Sequence, residues 1–89
     1  MEAIVLPGKL CCAVVDRSAT GLRLRFDKPY AGPANFVVVL VGLGQAFTVS
    51  ARWTKDAEIG VLIGARCDLK GLVPSAFAEA RAVWSHRKG

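Results

Sequence analysis

The sequence has few of the side chains on which most enzymes and metal sites depend. It contains one histidine, His86, and three cysteines, of which Cys11 and Cys12 are adjacent. Nucleophilic catalysis needs a base that a third group holds in place, and the only imidazole lies near the end of the chain. Adjacent strand residues point to opposite faces, so this cysteine pair does not suit a zinc ion. We therefore predict no catalytic site, no metal site and no cofactor.

Long apolar segments are also missing. The longest is Phe36–Leu43, which contains Gly42 and is much shorter than the roughly 18–20 residues that span a bilayer. Glu2 stands where a secretory signal would carry basic residues, and no extended apolar region follows it. The sequence therefore predicts a soluble, cytoplasmic protein that does not insert into membranes.

Acidic residues are outnumbered by basic ones. Seven Asp and Glu stand against twelve Lys and Arg, which gives a formal net charge of +5 and favours an anionic partner. No run of Lys and Arg alternates with aromatic residues, so nucleic-acid binding is not favoured. A hydrophobic content of 53% in 89 residues indicates one ordered domain, residues 1–89.

Period-two alternation and closely spaced turns dominate the chain. They predict a mainly β fold, in which six antiparallel strands form a barrel over about residues 1–68. The predicted strands are Glu2–Leu6, Lys9–Val15, Leu22–Phe26, Asn35–Val41, Ala46–Thr54 and Glu58–Arg66. Apolar residues at helical spacing then predict one C-terminal helix over about residues 73–86, packed on the barrel through Phe77 and Trp84.

The alternation also predicts which side chains share a face of the sheet. We expect uninterrupted faces in three strands. These are Cys12, Val14 and Asp16; Phe47, Val49, Ala51 and Trp53; and Ile59, Val61, Ile63 and Ala65.

The turn Asp16–Gly21 is the stretch richest in polar chemistry. Asp16 and Ser18 can accept hydrogen bonds from nearby backbone N–H groups, and Gly21 permits a close backbone approach. One interpretation is a loop capped by its own side chains. The other is a ligand site, because an exposed carboxylate and hydroxyl beside a bare backbone suit a flat, donor-rich group such as guanine. Arg23 and Arg25 follow on one face of the next strand.

The segment Asp16-Arg17-Ser18-Ala19-Thr20-Gly21 fits the D-x-S-x-x-G signature of the PilZ domain family. Trp53 and Ile59-Gly60 also resemble that family's paired strands, and the apolar C-terminal segment is similar to its closing helix. The family's second signature, R-x-x-x-R, is absent, because Lys9 is the only basic residue before Asp16. The resemblance implies a PilZ-like barrel that binds cyclic di-GMP and signals through a partner protein.

The resemblance also implies roles for individual residues. Asp16 would accept hydrogen bonds from guanine, Ser18 would bond an adjacent ring atom, and Gly21 would leave the approach open. Arginines near the turn would then have to contact the phosphates. The candidates are Arg17, Arg23, Arg25 and Arg52.

Two other functions remain open from the sequence. The domain is a PilZ-like adaptor without ligand binding, which contacts a protein partner through the helix face around Phe77 and Trp84, or it is a small basic barrel that binds nucleic acid. The hexapeptide favours the receptor, the missing arginine motif favours the adaptor, and only the bulk charge favours nucleic acid.

Overall fold

The computed structural model describes the backbone of residues 1–88 and the side chains of residues 1–86. Its strands are β1 (Glu2–Leu6), β2 (Leu10–Arg17), β3 (Gly21–Arg25), β4 (Asn35–Leu40), β5 (Gln45–Lys55) and β6 (Glu58–Asp68). Short 3₁₀ turns at Val41–Leu43 and Ser75–Phe77 precede β5 and the helix α1 (Ala78–Lys88).

The strands close into a barrel in the order β1-β2-β3-β6-β5-β4. Every neighbouring pair is antiparallel, and β1 pairs with both β2 and β4, which completes the circle. The predicted mainly β, six-stranded barrel with one C-terminal helix is confirmed. The helix begins later than predicted, because residues 75–77 form a 3₁₀ turn.

Two separate apolar clusters stabilise the fold. The first fills the barrel interior and includes Leu24, Val38, Phe47 and Ile59, all of them fully buried. The second lies between the outer face of the sheet and α1. Its members are Ile4, Leu6, Val39, Ala46, Cys67, Leu69, Phe77, Ala80, Val83 and Trp84.

Helix α1 therefore uses its apolar face to cover the barrel. Phe77 and Trp84 are only 6% and 7% exposed, and the Trp84 indole N–H donates to the Val41 carbonyl over 3.0 Å. The barrel therefore already occupies the helix face that the alternative assigns to a partner, and the structure gives that alternative no support. No helix in residues 1–88 is long and apolar enough to cross a membrane.

Three β-bulges interrupt the strand faces that the alternation predicts. One lies in β2 between Val14 and Asp16, where Val15 has no partner on β3. Another lies in β5 at Arg52, between Ala51 and Trp53. In the third, Gly64 and Ala65 of β6 together face Thr48.

Each bulge moves the residues beyond it to the opposite face. Asp16 therefore leaves the face of Val14, and Trp53 leaves the face of Ala51. In β6, Arg66 takes the inward position opposite Phe47 that the alternation assigns to Ala65. The predicted faces are wrong at these three places because a period of two cannot contain an extra residue.

The packing of α1 predicts a large difference between two apolar truncations. Phe77→Ala should lower the free energy of unfolding by about 3–5 kcal/mol, because it removes a buried ring and leaves a cavity. Leu72→Ala is the control, since Leu72 is fully exposed and its loss should cost less than about 0.5 kcal/mol. Urea unfolding followed by circular dichroism measures both, and equal effects would contradict the packing described.

Candidate ligand-binding cleft

Four residues that the sequence singled out lie in one cross-strand row on the outer face of the barrel, because two of the bulges turn Asp16 and Trp53 outward. Asp16 of β2 pairs with Arg23 of β3, Arg23 pairs with Gly60 of β6, and Gly60 pairs with Trp53 of β5. Neighbouring strands lie about 4.8 Å apart. The row therefore carries a carboxylate, a guanidinium and an indole across four adjacent strands.

Trp53 lies against Gly60, and the absence of a side chain there makes this possible. A Cβ at Gly60 would overlap the Trp53 indole. Trp53 as a residue is nevertheless 45% exposed, although large aromatic residues are normally well buried. The ring is thus fixed on one side by the sheet and open to solvent on the other, which is how an aromatic platform for a planar ligand is built.

Ser18 organises the turn between β2 and β3. Its Oγ accepts hydrogen bonds from the N–H groups of Gly21 at 3.1 Å and Thr20 at 3.4 Å, and the Ser18 N–H donates to the Gly21 carbonyl. A hydroxyl oxygen has two lone pairs and one proton. Because the turn occupies the lone pairs, Ser18 can serve a ligand only as a donor.

Gly21 is required by the sheet itself. A Cβ at this position would lie 2.6 Å from the carbonyl oxygen of Val61 on the paired strand β6. This separation is shorter than real Cβ atoms show, and a backbone oxygen cannot move aside cheaply. The sequence suggests that Gly21 leaves room for a ligand to approach the backbone. In the structure, the backbone of β6 makes that close approach.

Asp16 is exposed at the end of the row. Its Oδ1 accepts the Arg17 backbone N–H over 2.8 Å, and residues 1–86 supply no further hydrogen bond to the carboxylate. The residue therefore keeps acceptor capacity for a ligand. It borders a cleft of about 260 Å³. The cleft is lined by Asp16, Arg17, Ser18, Gly21, Leu22, Arg23, Trp53, Gly60 and Val61.

Glu58 neutralises much of the positive charge beside the cleft. Its Oε2 accepts hydrogen bonds from Arg25 Nη2 at 2.7 Å and Nε at 3.0 Å. Oε1 lies 3.7 Å from Arg23 Nε, too far for a hydrogen bond. That Nε is buried and has no hydrogen-bond partner in residues 1–86. Arg25 is thus committed to Glu58, whereas Arg23 is only loosely held.

The same contacts set the ionisation of Glu58. The Arg25 hydrogen bonds lower the pKa of the Glu58 carboxyl, and the positive charges of Arg25, Arg23 and Lys55 act in the same direction, against a smaller opposing effect of burial. Glu58 is therefore ionised throughout the neutral range.

The structure thus gathers Asp16, Arg17, Ser18, Gly21 and Arg23 into the cleft. Arg25 and Arg52 do not line it: Arg25 is paired with Glu58, and Arg52 is the extra residue of the β5 bulge. Sequence reasoning did not place Trp53 in the site. The signal for it was the glycine at position 60, because an exposed indole needs a bare strand on which to rest.

Within residues 1–86, no group of three or more His, Cys, Asp or Glu side chains is arranged to hold a metal ion. Comparisons with protein-family models, curated proteins and solved structures find no match to this chain. The PilZ resemblance therefore depends on the motif residues, and it stays a prediction.

The packing at Gly21 predicts a cost for a single methyl group. Gly21→Ala should destabilise the fold by roughly 1–3 kcal/mol, the usual range for an overpacked site, because β3 must move away from Val61. Gly71→Ala is the matched control, since no atom lies within 4 Å of its Cβ position. Thermal unfolding compares the two variants, and equal melting temperatures would contradict the close approach.

The Glu58 cluster predicts a specific titration. In Arg25→Gln, the pKa of Glu58 should rise toward its ordinary value, because the main hydrogen bonds are lost. Since folding lowers this pKa, the stabilisation by Glu58 is present at neutral pH and is lost as the pH falls through the folded-state value. Carbon-detected NMR of the Glu58 carboxyl measures the shift. Arg52→Gln removes one positive charge elsewhere and should leave the titration unchanged.

Proposed function

We propose that the cleft binds a guanine base of cyclic di-GMP, and that the domain is a PilZ-type receptor that acts through a partner protein. The observation that supports this is the outward row Asp16–Arg23–Gly60–Trp53, which joins an acceptor, a cation and an exposed aromatic ring. The D-x-S-x-x-G segment forms one wall of the same cleft.

Each group in the cleft complements one part of a guanine nucleotide. The Asp16 carboxylate accepts hydrogen bonds from the guanine N1 and N2 donors, and the Ser18 hydroxyl donates to a ring acceptor. The Trp53 indole offers a stacking surface, which contributes about 1–3 kcal/mol per base. Arg23 presents its guanidinium to a phosphate, with which arginine can form two parallel hydrogen bonds.

The size of the cleft limits how much of the ligand it holds. Its volume is about 260 Å³, whereas sites that enclose a drug-sized ligand measure roughly 300–1,000 Å³. The cleft therefore takes one base, and the remainder of a cyclic dinucleotide lies over the surface around it. Phosphate contacts outside the cleft then decide the affinity.

The receptor is preferred over the adaptor on structural grounds. The adaptor hypothesis needs an exposed helix face at Phe77 and Trp84, and both side chains are buried against the barrel. The nucleic-acid alternative gains no support either, because Trp53 is the only exposed aromatic residue (Phe, Trp or Tyr) in residues 1–86, whereas single-strand binding stacks successive bases on several rings.

Calorimetric titration with cyclic di-GMP tests the proposal. Asp16→Asn should weaken binding by about ten- to a hundredfold, because hydrogen bonds to a charged acceptor contribute about 1.5–3 kcal/mol. Asp27→Asn makes the same change in an exposed loop outside the cleft and should bind like the unmodified protein.

Cyclic di-AMP serves as the ligand control, because adenine does not present the two donors that Asp16 would accept. It should bind much more weakly than cyclic di-GMP. Absence of binding at millimolar cyclic di-GMP with a folded sample, or equal affinity in Asp16→Asn, would overturn the proposed function.

A further inference from the structure

Two arginines outside the outward row occupy inner positions of the barrel wall, in two different cross-strand rows. Arg17 pairs with Leu22, and Leu22 belongs to the interior cluster. Arg66 pairs with Phe47, which is fully buried in that same cluster. Cross-strand partners share a face, so both arginines start from the inner face of the sheet, and both residues are exposed at the end of the barrel.

The two guanidinium groups each lie over the same aromatic ring. Arg17 Cζ lies 5.9 Å from the centroid of the Phe47 ring, and Arg66 Cζ lies 5.4 Å from it. Cation–π attraction operates at this range. Phe47 therefore holds together two cations that come from the ends of β2 and β6, at the mouth of the barrel.

Neither arginine has an acidic partner. In residues 1–86, no carboxylate lies within ion-pair distance of Arg17 or Arg66. Asp68 lies two residues beyond Arg66 on the same face of β6. Its Oδ1 accepts a hydrogen bond from the Lys70 backbone N–H over 2.9 Å instead of contacting Arg66. Both arginines are exposed to solvent, so they are accessible to an anion at this end of the barrel.

A third polar group lies near the pair. Gln45 precedes Phe47 by two residues on β5 and pairs with Leu40 of the interior cluster, so it shares their inner face. Its Oε1 is buried and has no hydrogen-bond partner in residues 1–86. The amide N–H groups can donate to an anion, and Oε1 can accept a hydrogen bond from a water molecule bound to that anion.

We propose that Arg17 and Arg66 form a clamp for a phosphate group at the barrel mouth. Arg17 also lines the outer cleft, so a ligand with its base in the cleft can place a phosphate between the two guanidinium groups. The identity of the ligand rests on the proposed function, whereas the anion site does not. The clamp would supply the phosphate contacts for which the segment before Asp16 has no arginine.

Arg66→Gln tests the clamp, because glutamine keeps part of the stem over Phe47 and removes the charge. Cyclic di-GMP should bind at least about tenfold more weakly, and its affinity should depend less on salt concentration. Binding of guanosine, which lacks phosphate, should not change. The affinity of Arg66→Lys for cyclic di-GMP should fall between those of the unmodified protein and Arg66→Gln, since an ammonium group keeps the charge but lacks the planar fork.

Lys28→Gln is the charge control, because Lys28 is an exposed loop residue outside the cleft; it should bind like the unmodified protein. Circular dichroism confirms that each variant is folded. Equal affinity and equal salt dependence in Arg66→Gln would overturn the clamp and leave the proposed function standing.

Inorganic pyrophosphate separates the anion site from the nucleotide. It should shift the Nε–Hε NMR signals of Arg17 and Arg66 in the unmodified protein, and the Arg17 shift should be lost in Arg66→Gln. If pyrophosphate gives these shifts while cyclic di-GMP does not bind, the clamp is supported for free phosphate compounds and the proposed function is overturned. Absence of any shift with pyrophosphate and with cyclic di-GMP would overturn the clamp.

Discussion

The pairing of β2, β3, β6 and β5, with bulges at Val15 and Arg52, is the constraint on which the cleft depends. Without the extra residue Val15, Asp16 would share the inner face of Val14, where an unpaired carboxylate costs several kcal/mol. The bulge at Arg52 likewise turns Trp53 outward onto Gly60. Bulges are frequent next to binding sites because they redirect side chains without ending the sheet.

Two glycines connect the stability of the barrel to the geometry of the cleft. Gly21 lets β3 approach the Val61 carbonyl, and Gly60 leaves room for the Trp53 indole. Both lie in the central strands of the site, β3 and β6. A side chain at either position disturbs the wall and the ligand surface together, so the same residues serve the fold and the proposed function.

Positive charge is distributed unevenly around this barrel. Arg25 is neutralised by Glu58, and Arg23 shares that carboxylate at a longer distance. Arg17 and Arg66 have no acidic partner and are held by the Phe47 ring instead. The formal net charge of +5 therefore says little by itself, because the position of each cation decides whether a carboxylate, an aromatic ring or solvent faces it.

The sequence by itself determined the fold class, the six strands, the closing helix and the polar turn at Asp16–Gly21, because alternation, helical spacing and turn chemistry are local properties of the chain. Only the tertiary structure decided that Trp53 faces outward, that Arg66 faces inward and that Arg25 is paired with Glu58. A bulge is defined by the count of residues on two paired strands, so the alternation within either strand alone does not reveal it, even where the two strands follow each other in the chain, as β2 and β3 or β5 and β6 do. The alternation within one strand does not show an extra residue, so the residues that line the cleft could be identified only once the strands were paired.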